Sequence, residues 1–169
     1  YLVTDVLGQG ATARVFEVLD LAKDELFALK VALDPRHHPR LLEEADELDR
    51  LTHPRIVEVL DRAILGGRQT LLLSHAGKQT LQRYLEHEGV PSLDVAVGFG
   101  EDLLFALEEL EEHAVLHRDI KPANLGIGIP RKKERRCLTL FDFSLARAPL
   151  SDINVGTSAY RDPYLPLRN

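Results

Sequence analysis

The sequence predicts an α+β fold: a five-stranded antiparallel sheet with one inserted helix, then a mainly helical part closing on a small β-hairpin. Three observations point there. The first third alternates apolar and polar residues in short runs broken by turn signals, as half-buried strands do. Within it, Leu41, Leu42, Ala45, Leu48 and Leu51 recur at helical spacing. From residue 80 the period is helical, until two apolar runs return at 125–129 and 138–143.

Taken in order, strands are expected near 1–7, 14–20 and 26–33. The helix that follows places Glu44 one turn before Leu48 on its apolar side, while Glu43 and Glu47 should face water. Strands near 56–64 and 68–73 are joined by Gly66-Gly67, a tight hairpin signal. Thr80 can cap a short helix ending at Gly89, and Ser92 can open a longer one. In the longer helix Phe99, Leu103, Ala106, Leu107 and Leu110 form the apolar stripe, with Glu108, Glu109, Glu111 and Glu112 on the wet side. The final apolar runs flank the charged stretch Pro130–Arg136. It reads mainly as a solvated turn, and otherwise as a dock for an acidic partner.

With 169 residues, 44% hydrophobic and 28% charged, the chain has ordinary globular composition and can bury one core. A net charge of -6 argues against nucleic acid or an anionic membrane as its main partner. The single cysteine, Cys137, cannot form an internal disulfide and no zinc-ligand spacing occurs, so a reducing, cytoplasmic location is expected. Cys137 itself reads as a small buried apolar residue. No run approaches the roughly 20 apolar residues of a membrane span, and no signal pattern opens the chain. A start at Tyr1 and a complete lack of methionine give the expectation that the sequence is one part of a larger parent chain.

The strongest chemical signal is His117-Arg118-Asp119-Ile120-Lys121-Pro122-Ala123-Asn124. Phosphoryl transfer to a hydroxyl needs a carboxylate to orient the hydroxyl and accept its proton, and a nearby oxygen ligand for Mg²⁺. Asp119 and Asn124 supply both from one loop, and Lys121 can stabilise charge on the transferring phosphate. Eighteen residues beyond Asn124, Asp142-Phe143-Ser144 ends an apolar run with a second carboxylate able to hold Mg²⁺. At the other end, Leu7-Gly8-Gln9-Gly10-Ala11-Thr12-Ala13-Arg14-Val15 joins two strands with small residues, as backbone approaching a triphosphate requires. Alone, such a hairpin is more often a plain turn. Lys30, in Ala28-Leu29-Lys30, faces inward on an apolar strand and needs an anion, which phosphates or Glu44 can provide.

Together these residues resemble the protein kinase family over essentially the whole chain. The resemblance implies a protein-kinase-like fold, with 1–76 as the N-terminal lobe and hinge and 77–169 as a partial C-terminal lobe reaching through the activation segment. It implies ATP and Mg²⁺ as cofactors and transfer of the γ-phosphate to a serine or threonine of a protein substrate. By this likeness Leu7, Gly8, Gln9, Gly10 and Ala11 cover the nucleotide, and Lys30 holds its α- and β-phosphates while pairing with Glu44. Val15 and Ala28 pack on adenine, Leu73 is the gatekeeper, and backbone groups of Ser74 and Ala76 bond the base. Asp119 is the catalytic base, and Asn124 and Asp142 are the metal ligands.

Lys121-Pro122 after the base is the serine/threonine form. Gly156-Thr157-Ser158-Ala159-Tyr160 resembles the end of an activation segment, where Thr157 would meet Asp119 and Lys121. Arg118 beside the base suggests ordering by phosphate or acid, with Ser151 as candidate phosphosite and Asp152 as built-in acid.

Departures from the family pattern are Ala13 for the third glycine, Ser144 for the glycine after Asp-Phe, and Asp162-Pro163-Tyr164 for Ala-Pro-Glu. Gly126 stands where a large apolar residue usually floors the adenine pocket, and is expected to leave that surface under-packed. The Asp-Phe-Ser wording and Asn124-Leu125-Gly126-Ile127 look most like large bacterial phage-defence kinases of the bacteriophage-exclusion type. Since further helices follow this point in the family, residues 1–169 alone are expected to be unstable or inactive. The rival functions are a pseudokinase acting as a nucleotide-gated binding module and a phosphotransferase acting on small alcohols.

Overall fold

The computed structural model describes residues 1–128, 135–148 and 156–160. The chain forms two units, Tyr1–Thr52 with Val57–His75, and His53–Ile56 with the chain from Ala76 onward. In the first unit, β1 (Leu2–Gln9), β2 (Ala13–Asp20), β3 (Glu25–Ala32), β4 (Val59–Leu65) and β5 (Arg68–Ser74) form one antiparallel sheet ordered β1-β2-β3-β5-β4. Central β3 buries Ala28, Lys30 and Ala32, every second residue and hence one face of the strand. Edge strand β1 pairs only with β2 and is exposed throughout, so its expected half-burial does not occur. Residues 56–58 also depart from the expected strand: Ile56 makes a single bridge to Leu140, and the Arg55 carbonyl accepts from the Leu140 amide at 2.8 Å. This attachment explains why 53–56 belong with the second unit.

Helix α1 (His38–Leu48) packs on β5 and buries Leu41, Glu44, Ala45, Glu47 and Leu48. Two expectations fail here. Leu42 is exposed, because it lies about 100° around the helix from Leu41. Glu47 is buried, and Arg50 covers its carboxylate with a bond of 2.6 Å.

In the second unit, β6 (Gln79–Thr80), β7 (Leu125–Gly128) and β8 (Cys137–Leu140) form a small antiparallel sheet beside α2 (Leu81–His87) and α3 (Leu93–Glu112). Thr80 caps α2 by accepting from the Arg83 amide, whereas Ser92 occupies the cap position of α3 without a side-chain bond. Phe99, Ala106 and Leu110 are buried along α3, while Leu103 and Leu107 are half-buried. Leu104 and Phe105 lie on its exposed face. Cys137 is buried, as its composition suggested.

Within the buried stripe of α3 sits a carboxylate. Asp102, 1% exposed, accepts from Arg55 Nε at 2.8 Å, from both terminal nitrogens of Arg135 at 2.8 and 3.0 Å, and from the Leu138 amide at 2.9 Å. It ties α3 to β8 and to the 53–56 segment. A buried charge is tolerated only with such complete pairing. Arg136 bonds Glu88 at 2.8 Å and lies over the Tyr84 ring. At these two positions the charged run is exposed, as a solvated turn would be, and is also bonded to its own fold; 129–134 lie outside the described residues.

Gly126 is not under-packed. A Cβ built there would lie 2.4 Å from the Ala76 carbonyl oxygen and 2.7 Å from the Ala76 Cβ. The 76 backbone occupies the space that a larger residue would fill.

Three stability outcomes follow for thermal or denaturant unfolding. Asp102→Ala strands Arg55 and leaves the Leu138 amide unpaired, and should cost about 3–5 kcal/mol. Arg135→Ala should cost clearly less, since Arg55 and Leu138 still satisfy the carboxylate. Gly126→Ala should destabilise by about 1–3 kcal/mol, because backbone has to move to admit the methyl group.

Candidate active site

Each unit carries its own group of candidate residues. In the first, strand register aligns Val15, Lys30 and Leu71 across β2, β3 and β5, and Ala28 with Leu73. Lys30 is 7% exposed, and its Nζ lies 2.7 Å from each carboxyl oxygen of Glu44, itself 2% exposed. The helical period selects Glu44: Glu43 is exposed on the far side of α1, and Glu47 is held by Arg50. Ala28 and Leu73 are buried and Val15 is half-buried. Leu7, Gly8, Gln9, Gly10 and Ala11 are exposed around the β1–β2 turn, where the Gly10 amide donates to the Ala13 carbonyl at 2.9 Å. Ala13, in place of a third glycine, is 3% exposed and begins β2. The Ser74 amide donates to the Glu58 carbonyl at 2.9 Å.

In the second unit, Asp119 is the focus. Its Oδ2 accepts from Lys121 Nζ at 2.7 Å and Asn124 Nδ2 at 3.1 Å, and its Oδ1 accepts from the Thr157 hydroxyl at 2.7 Å and amide at 2.9 Å. Lys121 also donates to the Thr157 hydroxyl oxygen at 2.8 Å. Burial pushes the Asp119 carboxyl up, but bonds from Lys121 and from the Thr157 side chain and backbone outweigh it and hold the pKa below the usual 3.8. Asp119 is thus fully ionised near neutrality.

The backbone is bent to make this arrangement. Arg118 and Asp142 adopt left-handed φ values of 66° and 67°, which cost energy for residues bearing a Cβ. Gly156, at φ 90°, passes so close to the Arg118 carbonyl that a Cβ would lie 2.3 Å from that oxygen. Only glycine permits the approach that delivers Thr157 to Asp119. Arg118 also donates to the Ala148 carbonyl, anchoring the segment after Asp142-Phe143-Ser144.

His117, 2% exposed, holds the loop from inside. Its Nε2 bonds the Phe141 carbonyl at 3.0 Å, its Nδ1 accepts from the Asp119 amide at 3.2 Å, and its ring meets Phe143 edge-on at 4.6 Å. Burial lowers the His117 pKa and keeps the ring neutral, which this donor-and-acceptor role requires. The Phe141 amide donates to the Asn124 carbonyl at 3.1 Å, so backbone bonding places Asp142 one residue from a direct link to the 117–124 loop.

Ser151, Asp152, Asp162, Pro163 and Tyr164 lie outside the described residues. Sequence reasoning passed over His117 as a positioning group. Its place two residues before Asp119, within an otherwise apolar approach, was the available signal.

Comparison with known proteins agrees with this geometry. The protein kinase domain family matches residues 1–165. The "Probable kinase PglW" of Streptomyces coelicolor is 33% identical over 94% of the chain and 12% of its own length. The serine/threonine-protein kinase pkn3 of Myxococcus xanthus is 29% identical over 87% of the chain and 28% of its length. The serine/threonine-protein kinase AtPK2/AtPK19 of Arabidopsis thaliana is 28% identical over 95% of the chain and 35% of its length. The chain therefore spans about an eighth to a third of these relatives. With the family matched from the first strand to beyond Thr157, the chain belongs to the protein kinase family.

Proposed function

We propose that the chain binds Mg-ATP and transfers its γ-phosphate to a serine or threonine hydroxyl of a protein, with 1–76 serving the nucleotide and 77–169 the acceptor. The observation that carries this reading is the hydroxyl already at the reacting carboxylate: Thr157 Oγ1 donates to Asp119 at 2.7 Å. An acceptor hydroxyl must make the same bond for its proton to be taken. Asp119 would orient that hydroxyl and receive its proton, while Lys121 offsets charge on the phosphate in flight.

Lys30 would hold the α- and β-phosphates, its charge kept in place by Glu44. Asn124 and Asp142 fit magnesium as oxygen donors: the Asn124 amide nitrogen is committed to the Asp119 carbonyl and carboxylate, so its carbonyl oxygen is the group to offer. When bound, the ion neutralises charge on the β- and γ-phosphates. Two bacterial relatives support placement among bacterial kinases; the likeness to phage-defence kinases and a cytoplasmic site of action belong to the same proposal. Among the described residues, no helix is long and apolar enough to cross a membrane.

Labelled ATP distinguishes the alternatives in the intact parent protein. Asp119→Asn should lower phosphate incorporation into protein about 10²–10⁴-fold while ATP binding persists. Incorporation that survives the change cannot come from this site. Wild-type binding of ATP without turnover would identify a pseudokinase, and activity confined to small alcohols would identify a metabolite phosphotransferase.

A further inference from the structure

In the first unit, α1 carries Glu44 but is poorly held by its own sequence. At 11 residues it is short for a helix that must stand alone. Its N-cap residue, His37, makes no side-chain bond to the first turn, and that turn holds no acid. The far end carries Asp46, Glu47 and the cap residue Asp49, with no base in the last turn. Acids at a C-terminus oppose the helix dipole, so the charges of α1 work against the helix.

The β4–β5 hairpin supplies what α1 lacks, at both ends. At the C-terminal end, Arg62 of β4 reaches Asp46 at 3.3 Å and also bonds Asp49. At the N-terminal end, His38 Nε2 accepts from the Gln69 amide of β5 at 3.1 Å. A backbone amide can only donate, so Nε2 is the unprotonated nitrogen of that ring. The bond falls where the β3–β5 ladder runs out. Its last pair is Val31 and Thr70, and at the next step Arg68 donates to the Ala32 carbonyl at 3.2 Å while His38 takes the Gln69 amide.

These ties bear on Lys30 because β5 is the strand beside β3. Lys30 pairs across the ladder with Leu71, two residues from Gln69. The frame that fixes the ends of α1 is therefore the one that fixes Lys30, and Glu44 lies between the two ties along the helix. Both Lys30–Glu44 bonds are 2.7 Å, and a shift of α1 by about 1.5 Å takes them out of hydrogen-bonding range. Arg62 and its two acids are exposed enough to add little to overall stability. Their effect is on where the helix rests.

Resting on the reading of Lys30 as the cation for the α- and β-phosphates, we infer that Arg62 and His38 are positioning residues for phosphate binding: they fix α1 at its two ends on the β4–β5 hairpin and so hold Glu44 at Lys30.

The test uses the intact parent protein, with calorimetric titration of Mg-ATP and of adenosine, which lacks the phosphates. Arg62→Ala and His38→Ala should each weaken Mg-ATP binding about threefold, and together about tenfold, with adenosine affinity unchanged. His38→Gln, whose side-chain oxygen can accept from the same amide, should restore wild-type affinity. Beside Glu44→Gln, the two alanine substitutions should have no further effect, because Glu44 is the group through which they act.

Equal losses for Mg-ATP and adenosine, a loss that persists beside Glu44→Gln, a His38→Gln variant as weak as His38→Ala, or unchanged Mg-ATP affinity in the double variant overturns the positioning role and leaves the kinase reading intact. If wild type binds no Mg-ATP, or if Lys30→Ala and Glu44→Gln bind it as wild type does, the reading of Lys30 fails and this inference falls with it.

Discussion

A carboxylate with both oxygens filled is the constraint around which the second unit is arranged. Asp119 takes four hydrogen bonds from three residues, two within five positions of it and one 38 positions away. Bonds to an ion are stronger than neutral ones, and together they offset backbone that would otherwise relax. Arg118 stays left-handed because its neighbour is held on one side by His117 and on the other by Thr157. Remove the far partner and nothing in the local sequence compels the turn. Gly156 matters for the same reason, since the close passage of Arg118 and the delivery of Thr157 are one geometric event.

Buried charge appears in two forms, and the difference is instructive. Lys30 and Glu44 bond one another directly in the first unit, through both carboxyl oxygens. Such a pair contributes little net stability once desolvation is counted, which favours a functional reason for keeping it. Asp102 is held by two arginines and a backbone amide from two stretches of chain, around Arg55 and around 135–138. No acceptor capacity is directed to a ligand there, and its role is to fix α3 against β8. The acidic character of α3 thus divides into a solvated side and one buried anchor.

What could be read from sequence is what local spacing determines. Asp119, Lys121 and Asn124 lie within six positions, so any fold presenting that loop brings them together. Glu44 was separable from Glu43 by helical phase alone, because a residue on the wrong side of α1 cannot reach Lys30. Glu47 was misjudged since the phase at that position is marginal and a neighbouring arginine made burial tolerable. Asp102 and Gly126 were illegible for a stronger reason. The partners of Asp102 lie 47 and 33 positions away, and Gly126 answers to a backbone segment 50 positions before it. Propensity and periodicity carry no information about such approaches.

The low pKa of Asp119 bears on how its chemistry would run. A carboxylate held below its ordinary pKa is a weak base, and a weak base does little by pulling a proton early. In phosphoryl transfer the demand is different: the transition state is loose, and catalysis rests mainly on placement and electrostatic stabilisation. The same bonds that weaken Asp119 as a base fix the direction of its oxygens, and direction decides whether a hydroxyl sits in line with the leaving phosphate. On the proposed reading, proton acceptance follows bond formation, when the attacking oxygen has become acidic enough to give its proton even to so weak a base. On that reading Lys121, bonded to Asp119 in this structure, would both hold the carboxylate and offset charge on the phosphate.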